Sequence, residues 1–356
     1  MTIIFAVLLF SFLIFIHELG HFVAAKLSGV QVNEFSLFMG PAIWKKQVGE
    51  TLYAIRCIPI GGYCAMEGEE GEEGESDNPR SFQKADWWKR FLILVAGAAM
   101  NFVAGVLIFC IVFLPQKVIA APLIAQFDDC CIFSGPEGLM VGDEILEIDG
   151  EDVIVNGDIS LLFQLNPTGV HDVTVLRDGK ILVFEDLPMT HTHTDGAGNT
   201  YSHYGIHYGV ARELDLPGRF SYVWDNVVNT VRNVRLSLQM ILTGQAGLQD
   251  MSGPVGIVSM MNEVAESSQT TLAAVMNMLY FGGFIAINLA VMNLPPIPAL
   301  DGGRVVGLLI STGYEAVTKR KLDPKYEGWV HGAGMVLLLA LMAVIMFKDI
   351  FVILMG

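Results

Sequence analysis

Two histidines and a glutamate interrupt an apolar stretch near the N-terminus. The segment His17–His21 (HELGH) follows a run from Ile3 to Ile16 that carries no charged residue. Residues four apart lie on one face of a helix, so His17 and His21 can bind one metal ion between them. Glu18 would stand beside the metal, where a carboxylate can take a proton from water. This H-E-x-x-H pattern is typical of zinc hydrolases, and we expect Zn²⁺ as the cofactor.

A catalytic zinc needs a third protein ligand, and Asp301 is the best candidate. It follows the segment Asn293–Leu300 (NLPPIPAL), whose three prolines end a long apolar run. Broken backbone at membrane depth is tolerated only where protein or a water-filled cavity covers it, so we expect Asp301 in a polar pocket. Glu34 and Glu50, on the loop after the histidines, are alternative ligands, and so is His331.

Two other classes of protein could carry these residues. A soluble-type zinc endopeptidase tethered to the membrane would carry its third ligand near the histidines. The metzincin form needs glycine at 24 and histidine at 27, where this chain has Ala24 and Leu27. A non-proteolytic membrane scaffold or metal carrier would use the histidines without Glu18. A buried charge in a spanning segment costs about 2.5–3.5 kcal/mol on insertion scales, which such a scaffold would leave unexplained.

The composition indicates a membrane protein. Of the 356 residues, 53% are hydrophobic and only 16% are charged, which is too apolar for an ordinary soluble enzyme. The net charge of −16 argues against nucleic acid as a partner. Much of that charge lies in the acidic run 67–77, which we interpret as a flexible, solvated loop. The alternative for this run is a regulatory or cation-binding lid.

Four apolar runs are long enough to span a bilayer, which is therefore the expected surrounding. They predict a polytopic α-helical membrane protein whose spans are Ile3–Lys26, Phe91–Leu114, Leu272–Asn293 and Ala333–Gly356. Asn101 lies within the second span and can hydrogen-bond to the metal helix, either near the substrate or as structural support for the helix pair. The corresponding domains are 1–114, 115–216, 217–270 and 271–356.

Between the first two spans, Val30–Gly68 mixes β-branched and aromatic residues with glycine and proline, which predicts short strands. A strand edge beside the metal helix could hold a substrate in the extended form that cleavage requires. Farther along, residues 115–216 predict a soluble α+β domain. Its segment Gly138–Gly150 (GLMVGDEILEIDG) gives a strand and a hairpin turn and resembles a PDZ domain.

The end of that domain carries four histidines, for which a second metal site is one interpretation. A polar hairpin around residues 195–199 is the better one, because a site needs ligand geometry as well as residue type. The histidines are His191, His193, His203 and His207.

Apolar residues at helical spacing in Pro217–Thr243, with arginines between them, predict an amphipathic helix on the membrane surface.

Positive charge predicts the orientation. Eight lysines and arginines lie in the loop from Lys26 to Arg90, four lie in Thr312–Gly332, and the first 25 residues carry none. Both basic loops should therefore be cytoplasmic. Both termini and the PDZ-like domain would then be extracytoplasmic, and the metal site would lie near the cytoplasmic side of a bacterial inner or cell membrane.

Taken together, four motifs in this order resemble the bacterial site-2 proteases, of the PDZ-containing, regulator-of-sigma-E-protease type that processes anti-sigma factors. The resemblance covers nearly the whole chain. Its motifs are His17–His21, the loop segments Phe38–Pro41 and Pro59–Tyr63, the PDZ signature Gly138–Gly150, and N-x-x-P-x-P-x-L-D-G at Asn293–Gly302. The chain has room for one PDZ domain, unlike longer members of the family.

The resemblance implies an intramembrane zinc metalloprotease that acts in regulated intramembrane proteolysis. It would cleave single-pass membrane proteins, either anti-sigma-factor-like substrates or signal-peptide remnants. The implied zinc ligands are His17, His21 and Asp301, with Glu18 as the base. The resemblance also implies that Asn293 orients the substrate, and that the loop containing Gly61 and Gly62 re-enters the membrane and engages the substrate strand.

Overall fold

The computed structural model describes residues 2–69, 77–128, 131, 133–135, 137–166, 168–194, 200–247, 249–320 and 324–355. The chain folds into two compact units. One comprises residues 1–109 and 233–356, and the other comprises residues 110–232. Most of the predicted acidic loop, residues 70–76, lies outside the described residues.

The described part of the chain contains eight α-helices. They are α1 (Thr2–Ser28), α2 (Trp87–Phe113), α3 (Asp158–Leu165), α4 (Leu216–Thr243), α5 (Pro254–Glu266), α6 (Thr271–Met292), α7 (Asp301–Thr318) and α8 (Pro324–Met355). Four stretches of these helices are long and apolar enough to cross a membrane: Thr2–Ser28, Trp87–Phe113, Thr271–Met292 and Gly328–Val352. The predicted number of spanning segments is therefore confirmed by length and composition.

The predicted helix ends are less accurate than the predicted helices. We expect a loop over Thr312–Gly332, but α7 continues to Thr318 and α8 begins at Pro324. Helix α7 has no long apolar run, which is the feature from which the four spanning helices were predicted. The second spanning helix begins at Trp87, four residues before the predicted start, so the aromatic and basic residues 87–90 form its first turn. The predicted helix 217–243 is confirmed by α4, while its placement on a membrane surface stays a prediction.

The first half of α1 packs against α5 and α6. Leu9 and Leu13 join Met261 and Ile285 in one buried apolar cluster, and close van der Waals packing of this kind is what associates spanning helices in lipid. The opposite face of α1 carries exposed apolar side chains, among them Leu8. A helix with one buried and one exposed apolar face fits a lipid surrounding better than water.

The segment after α1 forms one irregular antiparallel hairpin of two long strands, β1 (Val32–Val48) and β2 (Thr51–Met66), rather than the several short strands that we expect from the sequence. Residues 34–37 have partners on both sides, at 52–55 and at 62–65. Residues 52–55 likewise pair with 34–37 and with 44–47, so each long strand bends and pairs with two segments of the other. The left-handed backbone of Gly40 and Gly61 permits these bends.

The hairpin is fastened to the C-terminal half of α1. Phe35 and Met66 share a buried cluster with Ala25 of α1 and Ile93 of α2. This packing matters for the site because it fixes the end of β2 beside the helix that carries the two histidines. The apolar contacts thus hold the strand in place without a covalent link.

The second unit is built on a six-stranded sheet. Its strands are β3 (Val118–Phe127), β4 (Glu144–Ile148), β5 (Glu151–Asp152), β6 (Val170–Arg177), β7 (Lys180–Pro188) and β10 (Ile206–Glu213), in the order β10-β3-β4-β6-β7 with β5 paired to β4. Ile145 and Val175 of the sheet are fully buried, and so is Phe163 of α3. The predicted strand and turn at 145–150 are confirmed, whereas the PDZ-like assignment stays a prediction.

A separate small hairpin consists of β8 (His191–Thr194) and β9 (Thr200–His203). Its backbone agrees with the polar hairpin that we predict there. The side chains of His191, His193 and His203 lie outside the described part, so a metal site among them is not tested. His207, by contrast, is described, and its Nε2 lies 2.9 Å from Asp128 Oδ1.

Candidate metal centre

Three side chains from distant parts of the sequence meet at one point. Nε2 of His17 lies 3.2 Å from Nε2 of His21, and Oδ2 of Asp301 lies 3.2 Å and 3.5 Å from those two nitrogens. Among the described residues this is the group of histidine, cysteine and acidic side chains that can hold a metal ion. The structure therefore brings together the three predicted ligands.

The spacing of these atoms fits zinc. For metal–ligand bonds of about 2.0–2.1 Å, the edges of a tetrahedron measure about 3.3 Å, close to all three observed separations. Oδ2 of Asp301 is buried and has no hydrogen-bond donor among the residues that the structure describes. A buried carboxylate oxygen without a donor is costly unless a cation faces it. Two imidazole nitrogens and one carboxylate oxygen are also a ligand set that zinc hydrolases use.

A strained loop presents Asp301. Asn293, the residue that follows α6 and caps its C-terminal end, accepts through its main-chain carbonyl a hydrogen bond from the N–H of Gly302, which folds the proline segment back on itself. Ala299 has a φ of +80°, a conformation that side chains with a Cβ rarely adopt. A Cβ added at Gly302 would meet Leu294 O at 2.1 Å, so only glycine fits there.

The competing ligands are engaged elsewhere. Glu34 forms an ion pair with Arg56 at 2.6 Å. Glu50 pairs with Arg80 and Lys26, and their hydrogen bonds lower the pKa of Glu50 to about 2. Neither carboxylate belongs to the group of described side chains that can hold a metal ion.

His331 has a supporting position instead. Its Nδ1 accepts a hydrogen bond from the N–H of Ala299 at 3.1 Å, two residues before Asp301. The ring therefore contacts the loop that presents the carboxylate. It does not belong to the group of side chains that can hold the metal.

Helix α2 supplies the surroundings of the histidines. Nδ1 of His21 is 2.8 Å from the main-chain carbonyl of Ile93, and Nδ1 of His17 is 3.4 Å from the side-chain amide of Asn101. Between them, Gly97 lies directly beneath both rings. The sequence indicated Asn101, and Gly97 as a small residue that permits close helix approach, but not Ile93, because a main-chain carbonyl has no signature in a motif.

A cavity of 360 Å³ opens beside the three ligands. Its lining includes Glu18, residues 63–66 of β2, Glu69 and Arg304. A carboxylate in the wall of a cavity next to a metal group can exchange protons with a substrate held there. Glu69 and Arg304 form an ion pair at 2.6 Å in this wall, and sequence patterns gave no signal for it.

The remaining predicted site residues occupy different positions. A Cβ at Gly62 would lie 3.3 Å from Cγ of Glu18, so β2 passes close to the metal helix at Gly62. Gly61 has a φ of +74° and packs on Met39. Asn293 lies at the end of α6, and Asn101 is buried behind His17 rather than in the cavity wall. Their predicted roles toward substrate are not tested by these contacts.

Comparison with known proteins gives a consistent result. The model of Peptidase family M50 matches residues 5–341. A Clostridium perfringens protein, named provisionally as a zinc metalloprotease, is 34% identical over 98% of both chains. The regulator of sigma-W protease RasP of Bacillus subtilis is 27% identical, also over 98% of both chains. A zinc metalloprotease RasP of Oceanobacillus iheyensis matches equally well, at 27% identity and 98% coverage of both.

Proposed function

The chain belongs to Peptidase family M50, and on that premise we propose that it cleaves single-pass membrane proteins within their transmembrane segments. As a member of that family it is a zinc metalloprotease, not a metal carrier or scaffold. One observation carries the proposal about the substrate. His17 and His21 lie inside α1, which is long and apolar enough to cross a membrane, and Asp301 follows closely after another such helix.

We propose His17, His21 and Asp301 as the zinc ligands and Glu18 as the proton carrier. Bound zinc supplies Lewis-acid chemistry, which polarises a peptide carbonyl and makes water a better nucleophile. Glu18 takes the proton of the attacking water and delivers it to the nitrogen of the leaving amine. Its place in the cavity wall, one residue from His17, supports this role. The main chain of Ile93 fixes the ring of His21 during these steps.

The substrate must be extended near the scissile bond, because a helix hides its carbonyls in hydrogen bonds. Residues 63–66 at the end of β2 line the cavity, and 62–65 pair with β1. Among the described strands, none pairs with the other side of this segment, which supports its use by an added substrate strand. Gly61 and Gly62 shape this part of β2, and Asn293 stands at the head of the loop that carries Asp301. We propose that all three help to hold the substrate strand.

The substrate class follows from the relatives. The Bacillus subtilis relative is named as a regulator of sigma-W protease. We therefore propose a membrane-anchored anti-sigma-factor-like protein as substrate, with signal-peptide remnants as a second class of the same chemistry. Both present a single apolar segment that could enter a site lined by apolar helices.

The first test uses Glu18→Gln, with Glu50→Gln as a matched control. Both enzymes are reconstituted in liposomes with a model single-pass substrate, and the cleavage sites are located by mass spectrometry. We expect Glu18→Gln to retain zinc and lose cleavage, and Glu50→Gln to behave like wild type. Normal turnover by Glu18→Gln would contradict the proton-carrier role. Cuts confined to residues outside the transmembrane segment would contradict the intramembrane substrate.

Orientation is part of the proposal. Basic residues between α1 and α2 and near the start of α8 support cytoplasmic placement of those segments, with both termini and the PDZ-like domain outside. A protease-sensitive tag in 70–75 should be protected in intact cells, whereas a tag after Gly179 should be digested. Digestion of the first tag in intact cells would show that the segment between α1 and α2 is extracytoplasmic and would contradict the proposed orientation.

A further inference from the structure

One face of α2 is shaped to the two imidazoles. Ile93, Gly97 and Asn101 are spaced four residues apart, so they form one stripe along the helix. The carbonyl of Ile93 meets His21, the missing side chain of Gly97 leaves room for both rings, and the amide of Asn101 meets His17. The stripe gives each histidine its own contact on the nitrogen that faces away from Asp301.

The contact at His21 is chemically complete. A carbonyl can only accept, so Nδ1 of His21 must carry the proton, and Nε2 is left with a lone pair toward Asp301. This is the tautomer that binds a metal through Nε2. Ligating histidines commonly donate their other N–H to a carbonyl or carboxylate, which fixes the ring orientation.

The contact at His17 is incomplete. Nε2 of His17 faces the same point, so a metal-binding His17 must also carry its proton on Nδ1 and needs an acceptor there. The amide nitrogen of Asn101 lies 3.4 Å from that Nδ1, while the amide oxygen is buried and has no partner in the described part of the chain. Asn101 is only 2% exposed, so water cannot readily replace that partner.

A half-turn of the Asn101 amide about its terminal torsion exchanges the nitrogen and the oxygen. We propose that, in the zinc-bound enzyme, Oδ1 of Asn101 accepts a hydrogen bond from Nδ1–H of His17. Asn101 is then a positioning residue for a metal ligand, equivalent to the carbonyl of Ile93 for His21. This inference rests on the proposed zinc centre and gives Asn101 a role different from substrate binding.

The test measures zinc affinity by competition with a chelator and does not depend on proteolysis. Asn101→Leu removes the acceptor, and Asn101→Asp keeps an oxygen that can only accept. Asn288→Leu is the matched control, since Asn288 also lies in a spanning helix and its amide donates to Phe284 O in the same helix. We expect Asn101→Leu to weaken zinc binding about 10–100-fold, the range for lost supporting contacts of a ligand. Asn101→Asp and Asn288→Leu should bind zinc about as tightly as wild type.

Each outcome decides one point. Wild-type affinity in Asn101→Leu would overturn the proposal, and so would an equal loss in Asn288→Leu. The Asn101→Asp variant also decides the matter if Asn101→Leu does not fold. A carboxylate cannot donate, so a loss of tenfold or more in Asn101→Asp would mean that the amide acts as a donor. Failure of the wild-type protein to bind zinc would instead remove the proposed centre itself.

Discussion

Gly97 lies so close to His21 that a Cβ atom at position 97 would be 2.3 Å from the Nε2 of His21. No real Cβ approaches a nitrogen so closely, so one of the two must move. His21 cannot turn away without breaking the hydrogen bond between its Nδ1 and the carbonyl of Ile93. The glycine is thus required by the ring, since a helix interior by itself favours alanine.

We expect Gly97→Ala to lower zinc affinity about tenfold or more, because the added methyl displaces a ligand ring from its supporting contact. The control is Gly313→Ala in α7, where an added Cβ meets nothing within 4 Å. That change should leave zinc affinity unaltered and slightly stabilise the helix. Chelator competition and thermal unfolding measure both effects. Equal zinc affinity in the two variants would show that the rings adapt to the methyl group.

His331→Phe and Asp301→Ala together separate a supporting role from a ligand role. Removing Asp301 takes away one of three ligands, so we expect Asp301→Ala to lose stoichiometric zinc. His331→Phe removes only the acceptor for the N–H of Ala299, a loss of about 1 kcal/mol, and should weaken zinc binding a few-fold. Zinc per chain, measured after dialysis, distinguishes the two. Complete zinc loss in His331→Phe, with zinc retained in Asp301→Ala, would mean that His331 is the ligand and Asp301 the supporting residue.

Asp349 of α8 caps α5 from outside. Its Oδ2 accepts hydrogen bonds from the N–H groups of Gly253 and Gly256, both at 2.9 Å, and the residue is 5% exposed. We expect Asp349→Ala to destabilise the protein by about 1–3 kcal/mol, because two N–H groups at a helix start lose their acceptor. Asp349→Asn, which keeps one acceptor oxygen, should cost less. Unfolding in a denaturing detergent series measures the difference, and identical stability of all three proteins would refute the cap.

The segment of the second unit that contains its sheet, residues 118–213, can be excised at matched ends. Main-chain N–H of Leu214 donates to the carbonyl of Lys117 at 2.8 Å, so the chain enters and leaves the sheet at neighbouring points. Removal of residues 118–213 with a two-residue glycine linker should leave zinc content intact. If this unit screens substrates by size, the shortened enzyme should still cut a pre-trimmed substrate and should also cut an untrimmed one. Loss of cleavage of the trimmed substrate, with zinc retained, would mean that the unit presents the substrate instead.

The ligands could be predicted from the sequence because each leaves a local mark. His17 and His21 have the spacing of one helix face, and Asp301 ends a proline run that no ordinary spanning helix would contain. We could predict that these distant segments lie together from one assumption, namely that a catalytic zinc site has three protein ligands.

The supporting residues could not be predicted in the same way. Every residue has a main-chain carbonyl, so the sequence does not show that the carbonyl of Ile93 contacts a histidine. Gly97 resembles the small residues that line many helix contacts in membranes. Helix α7 was not predicted, because it has no long apolar run and the basic segment Thr312–Gly332 predicts a loop. Its first glycines, Gly302 and Gly303, lie where the carbonyls of Leu294 and Ile297 leave no space for a side chain. The hairpin strands were predicted in type but not in length, since their double pairing depends on tertiary contacts.

The hydrogen bond from His21 to Ile93 ends on the main chain, and this has a consequence for mutational tolerance. Any residue with a carbonyl would serve at position 93, so point substitutions there should affect packing alone. A one-residue insertion or deletion between 93 and 101 would rotate the two halves of the stripe by about 100° relative to each other. The histidine contacts are therefore robust to point changes at position 93 and fragile to changes in the length of α2.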